Sequence, residues 1–106
     1  MSFSILSVAE AKALLSTQQS RCSSHSLVKI VDIRDTASFE AGHIESAVQI
    51  NEQTIGRYIA EADLSCPLLV YCYSGKMSQI SAAYFSEQGF DEVYSLAGGY
   101  TAWSAD

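Results

Sequence analysis

A doubly wound α/β fold is the expectation for this chain: about five strands, mainly parallel, with helices on both faces of the sheet. Two observations predict it. Short runs rich in β-branched and aromatic residues (LVKIVDI, AVQI, LLVYC and DEVYSL) alternate with stretches of helical character, and that alternation implies parallel strands joined by crossover helices. The length of 106 residues allows one hydrophobic core and no second one, so a single domain spanning 1–106 is expected.

The elements follow in chain order. Ser7-Val8-Ala9-Glu10 has the S-x-x-E spacing of a capping box, and the good helix formers AEAKALL come next, so a helix is expected from about Val8 to Thr17. The polar stretch QQSRCSSHS reads as a loop holding Cys22 and His25. LVKIVDI is a buried strand ending near Arg34. Residues 36–41 form one short helical turn, stopped by Gly42, and Ala47 to Ile50 a second short strand. From Thr54 to Ala62, Ile55, Tyr58 and Ile59 recur at helical spacing. Pro67 precedes the strand LLVYC, where its missing N–H does least harm. A helix starts near Ser78 and ends at Gly89; the strand DEVYSL, the pair Gly98-Gly99 and a short helix through YTAW close the chain.

Composition excludes several function classes. A net charge of -6 speaks against nucleic acid or an anionic membrane as partner, since both need a basic face. No run approaches 18 apolar residues, so no membrane span is expected. The first residues lack a basic n-region and a small-residue cleavage site, which fits a cytoplasmic protein. Three cysteines, Cys22, Cys66 and Cys72, are too few and too dispersed for a disulfide scaffold or a zinc site; free thiols are expected. Cys66 sits at the far end of the Cys72 strand, too distant to bridge it.

Cys72 carries the chemistry worth weighing. It ends a strand of a parallel sheet, where ligands bind, and residues 73–77 then turn tightly into a helix. Successive N–H groups of such a loop can point inward, and the helix N-terminus adds partial positive charge, so the loop can cradle an anion at the sulfur. Lys76 within the loop brings a full positive charge. These features favour a thiolate nucleophile that needs no histidine base. From this stretch alone, an inert packing cysteine remains an equal reading. A phosphatase of the C-x₅-R type is disfavoured, because position 78 is Ser and the loop has no arginine to grip phosphoryl oxygens.

Beyond the loop, VDIRDTASFEAGHIESAVQIN, VYCYSGKMS, SQISAAYFSEQGF and LAGGYTAW, in that order and spacing, resemble the rhodanese domain. The resemblance is closest to the single-domain GlpE-type thiosulfate sulfurtransferases, and it covers nearly the whole chain. It implies that Cys72 attacks the outer sulfur of thiosulfate, releases sulfite and becomes a persulfide, which cyanide, a small thiol or a thiol protein then relieves of its sulfur. It implies neither cofactor nor metal, and a loop of this length is that of sulfurtransferase members. Tyr73, Ser74, Gly75, Lys76, Met77 and Ser78 are the substrate-binding candidates. Many members carry arginine in or after the loop, whereas here Lys76 and Gln79 stand there, so a persulfide donor competes with thiosulfate as the expected substrate. Met77 either narrows the pocket or favours an apolar acceptor. The alternative function is a binding or redox-sensing module of the same fold.

Supporting roles are expected for the remaining residues. Asp32 and Arg34 form an ion pair that holds neighbouring loops, and His43 bonds local backbone in its turn. Gly98 and Gly99 permit a close turn beside the loop. Trp103 packs under the last helix.

Overall fold

The computed structural model describes residues 3–17 and 28–105, so the loop expected around Cys22 and His25 lies outside them. The described chain runs β1 (Ser4–Leu6), α1 (Val8–Thr17), β2 (Lys29–Asp32), α2 (Thr36–Ala41), β3 (Val48–Gln49), α3 (Ile55–Glu61), β4 (Leu68–Tyr71), α4 (Met77–Glu87), β5 (Val93–Leu96) and α5 (Gly99–Ala105). The five strands form one sheet in the order β1-β5-β4-β2-β3. Every pairing in it is parallel.

The local signals explain most boundaries. Glu10 N–H donates to Ser7 Oγ at 3.1 Å and Ser7 N–H to Glu10 Oε1 at 2.9 Å, so the capping box closes reciprocally and starts α1 where expected. Asp35 caps α2 by accepting from the Ser38 N–H, and Gly89, with φ of 108°, turns the chain after α4. One strand was not expected. β1 is only Ser4–Leu6, too short to show a period, and it exists because β5 offers it a parallel edge, Ser4 facing Tyr94 and Leu6 facing Leu96.

The sheet is apolar on both faces, and the period of two along β4 assigns them. Leu68 and Val70 point into one cluster with Val31, Ala82, Phe85 and Val93, against which Tyr58 and Ile59 of α3 pack. Leu69 and Tyr71 point into the other with Ala11 of α1, Ile30 and Leu96, against which Tyr100 and Trp103 of α5 pack. Helices α3 and α4 therefore cover one face and α1 and α5 the other, the doubly wound arrangement. Among the described residues, no helix is long and apolar enough to cross a membrane.

One expectation is corrected here. Cys66, fully buried before Pro67, is disulfide-bonded, whereas Cys72 is free. Cysteine count and spacing do not reveal which sulfurs the fold brings together, so the free-thiol expectation fails at Cys66.

The topology also fixes where a ligand site can form. From β2 the chain leaves through α2 to β3 on one side, and from the adjacent β4 it leaves through α4 to β5 on the other. The carboxyl ends of β2 and β4 thus flank the crevice at the switch point of the sheet. Arg34 follows β2 there, and Cys72 follows β4.

Candidate active site

The loop after β4 folds back over the Cys72 sulfur. Gly75 N–H donates to Sγ at 3.1 Å and Ser78 N–H at 3.3 Å, while Ser78 Oγ lies 3.5 Å away. Gly75 can aim its N–H inward because it sits at φ of 97°, in the left-handed region. A Cβ at this position would also come within 2.9 Å of Gly98 N and 3.1 Å of Leu96 O. Burial pushes the thiol up, but hydrogen bonds from the Ser78 side chain and from the Ser78, Gly75 and Ser74 N–H groups outweigh it. Cys72 is accordingly acidified below its ordinary value. The sulfur is enclosed, with the residue 3% exposed.

The start of α5 holds this loop in place. Tyr100 N–H donates to Cys72 O at 2.8 Å and Thr101 N–H to Tyr73 O at 3.1 Å. In a planar trans peptide the carbonyl and the next residue's N–H point opposite ways, so fixing these two carbonyls on α5 turns the Tyr73 and Ser74 N–H groups away from α5. Gly99 makes the approach possible: at φ of 57°, a Cβ there would strike Cys72 O and come within 2.6 Å of the Tyr73 carbonyl. Gly99→Ala is therefore expected to push the loop off its cradle geometry and slow alkylation of Cys72 near neutral pH by about tenfold, roughly one pKa unit. Iodoacetamide kinetics check this, with an unchanged rate as the contrary result.

The family model of the rhodanese-like domain matches residues 7–106. This chain belongs to the rhodanese-like family. A thiosulfate sulfurtransferase GlpE from Shewanella oneidensis is 53% identical over 76 residues, covering 72% of this chain and 75% of that one. The GlpE of Pseudoalteromonas translucida is 38% identical over 105 residues, 99% of this chain and 92% of its own. Among solved structures, a rhodanese-like domain protein from Staphylococcus aureus matches with a TM-score of 0.76 at 26% identity, covering 95% of this chain and 91% of that one.

The motifs that marked the rhodanese-like resemblance have physical roles around this loop. Arg34 is 6% exposed and binds Asp32, itself fully buried, through Nε and Nη2 at 2.8–3.1 Å. Nη2 also donates to Gly42 O at 2.6 Å. The guanidinium stands over the rings of Tyr100, Tyr71 and Tyr73 at 4.3, 5.5 and 6.0 Å. Gly42 sits against Tyr100, since a Cβ there would lie 2.9 Å from Tyr100 Oη and displace it. His43 is exposed, stacks on Phe39 at 3.8 Å and bonds Phe39 O through Nδ1 at 2.7 Å. Ile44 N–H donates to Tyr71 Oη at 3.1 Å. Burial and then Asp32 push the Tyr71 phenol far above its ordinary range, so it stays a neutral hydroxyl. Asp32, Arg34, Gly42 and His43 are thus tied to one another and to neighbouring backbone and rings beside the crevice.

The loop candidates separate. Ser78 meets the sulfur through both backbone and side chain, and Gly75 and Ser74 through their N–H groups. Tyr73 turns outward, its hydroxyl donating to Asp35 Oδ1 and lying 3.4 Å from Ser38 Oγ, which ties the loop to the start of α2. Lys76 and Met77 are exposed at the rim, and no full positive charge stands among the leading causes that acidify Cys72. Gln79, where a cation was expected, bends back to donate to Gly75 O at 3.2 Å. Trp103 is half-buried against the core and takes the Lys12 ammonium over its ring at 5.2 Å. Sequence reasoning missed Asp35 and Tyr100, which hold the loop from outside it, and Ser95, whose hydroxyl lies 2.8 Å from that of Ser78.

Proposed function

We propose that the protein is a thiosulfate sulfurtransferase that carries a sulfane sulfur on Cys72. The observation that carries this reading is a free, enclosed and acidified thiol onto which the Gly75 and Ser78 N–H groups converge. The Cys72 thiolate attacks the outer sulfur of thiosulfate; the new S–S bond forms as the S–S bond of the donor breaks, and sulfite leaves with the electron pair. Cyanide or a thiolate then attacks the outer sulfur of the persulfide and returns Cys72 as thiolate. Charge is conserved in each step and no proton moves, so amide donors suffice without a general base. This agrees with a site where His43 is committed to Phe39 O.

The rim bears on the donor. Lys76 is an exposed cation on an acidic protein, and Arg34 is occupied by Asp32 and Gly42. A doubly charged thiosulfate is therefore held mainly by loop amides, which leaves persulfide donors competitive. Position 78 supports sulfur transfer over phosphoryl transfer, because a buried serine bonded to the sulfur stands where a phosphatase needs an arginine fork.

The test is mass spectrometry of the protein after thiosulfate incubation and desalting. The Cys72 peptide is expected to gain one sulfur atom and to lose it, with formation of thiocyanate, on addition of cyanide. No gain at Cys72 would overturn the enzyme reading in favour of a binding or redox-sensing module.

A further inference from the structure

We propose that Ser95 is a positioning residue: acting through Ser78, it fixes the direction of a two-hydroxyl chain that ends on Cys72 Sγ and holds the sulfur as thiolate. The proposal rests on Cys72 being the working sulfur. Ser95 lies on β5 and, by the alternation of the strand, shares with Val93 the face covered by α4. That face is otherwise built from Val70, Ala82, Phe85 and Val93, so a fully buried hydroxyl there needs a partner. Its one hydrogen-bond partner among the described residues is Ser78 Oγ at 2.8 Å. Ser78, also fully buried in the first turn of α4, reaches Sγ at 3.5 Å.

Proton counting gives the chain its direction. Three heavy atoms in a row, Sγ, Ser78 Oγ and Ser95 Oγ, leave two gaps, and each gap holds one proton. With Cys72 as a thiol there are three protons for two gaps, so one points away from the chain into apolar surroundings. With Cys72 as thiolate there are two, Ser95 donates to Ser78, Ser78 donates to Sγ, and every proton has an acceptor. Removing the Ser95 hydroxyl frees Ser78 to spend its proton elsewhere and removes this preference. The charged and titratable groups on the elements around Cys72 are Lys29 and Asp32 of β2 and Arg34 after it, Tyr71 of β4, Tyr73 and Lys76 of the loop, Tyr84 and Glu87 of α4, Tyr94 of β5 and Tyr100 of α5. None of them lies in the hydroxyl chain.

The test is the pH dependence of iodoacetamide alkylation, read by mass on the Cys72 peptide, for the wild type, Ser95→Ala, Ser78→Ala and the double variant. Ser95→Ala is expected to raise the midpoint by roughly half a unit to one unit, which slows alkylation about three- to tenfold below it. In the Ser78→Ala background the same change is expected to add nothing. Ser95→Thr and Ser95→Val share a shape and differ in the hydroxyl, so their comparison reads the effect independently of packing; only valine is expected to shift the midpoint. An unchanged midpoint in Ser95→Ala, an additive shift in the double variant, or equal shifts in the threonine and valine variants would overturn the proposal. The titration needs no sulfur donor, so its failure leaves the sulfurtransferase reading standing, and the two failures are read by separate measurements.

Discussion

Cys72→Ser is expected to end thiosulfate-to-cyanide sulfur transfer, with a fall on the order of 10³-fold or more, while the protein stays folded. The size of the loss follows from the chemistry of the bond that must form. A serine hydroxyl ionises far above a thiol, and its oxygen cannot make the persulfide through which the sulfur passes, so the substitution removes the intermediate itself. The fold is expected to survive because the change is nearly isosteric and the Gly75 and Ser78 N–H groups still find an acceptor in the serine oxygen. Cys66 offers no rescue: it is disulfide-bonded, at the opposite end of β4. Thiocyanate formation and a thermal melt measured side by side decide the matter. Retained turnover with an unchanged melt would mean that sulfur is carried by something other than Cys72.

The contrast between Cys72 and its partners shows what a sequence reveals of such a site. The cysteine was legible because a strand end, a glycine three residues on and a helix start lie within one short window, whereas the α5 contacts that hold the loop in place lie outside it. The same holds for the capping box of Ser7 and Glu10 and for the helix stops at Gly42 and Gly89, each a contact between near neighbours. What was illegible depends on distant chain. Strand β1 exists only through its pairing with β5, and Ser95 matters only because Ser78 meets it across 17 positions. The exposure of Lys76 at the rim was illegible for a further reason: spacing places a residue in a loop but does not say whether a long side chain turns toward the sulfur or toward water. Gln79 shows the converse, since the residue standing where a cation was expected reaches back to brace the loop at Gly75 O.

Arg34→Ala is expected to be the most destabilising substitution near the crevice, costing about 3–5 kcal/mol. The side chains of Arg34 and Asp32 are 5% and 0% exposed, and their N–O separation is 2.8 Å. Removing the guanidinium leaves a buried carboxylate without its counter-charge, strips the Gly42 carbonyl of a donor and empties the space between the rings of Tyr71, Tyr73 and Tyr100. For a domain of this size the loss corresponds to a fall in Tm on the order of 10–30 °C. Arg34→Lys is expected to recover little, because an ammonium keeps the charge but not the fork that reaches Asp32 and Gly42 together. Replacing both partners, Asp32→Asn with Arg34→Met, is expected to be milder than Arg34→Ala, since no uncompensated charge is left inside. Thermal melts of the three variants separate a brace from a substrate clamp. A brace lowers Tm in this order, and transfer activity falls only as the fold is lost. Were Arg34 instead the group that grips thiosulfate, Arg34→Ala would raise KM at an unchanged Tm, and the double replacement would give no relief.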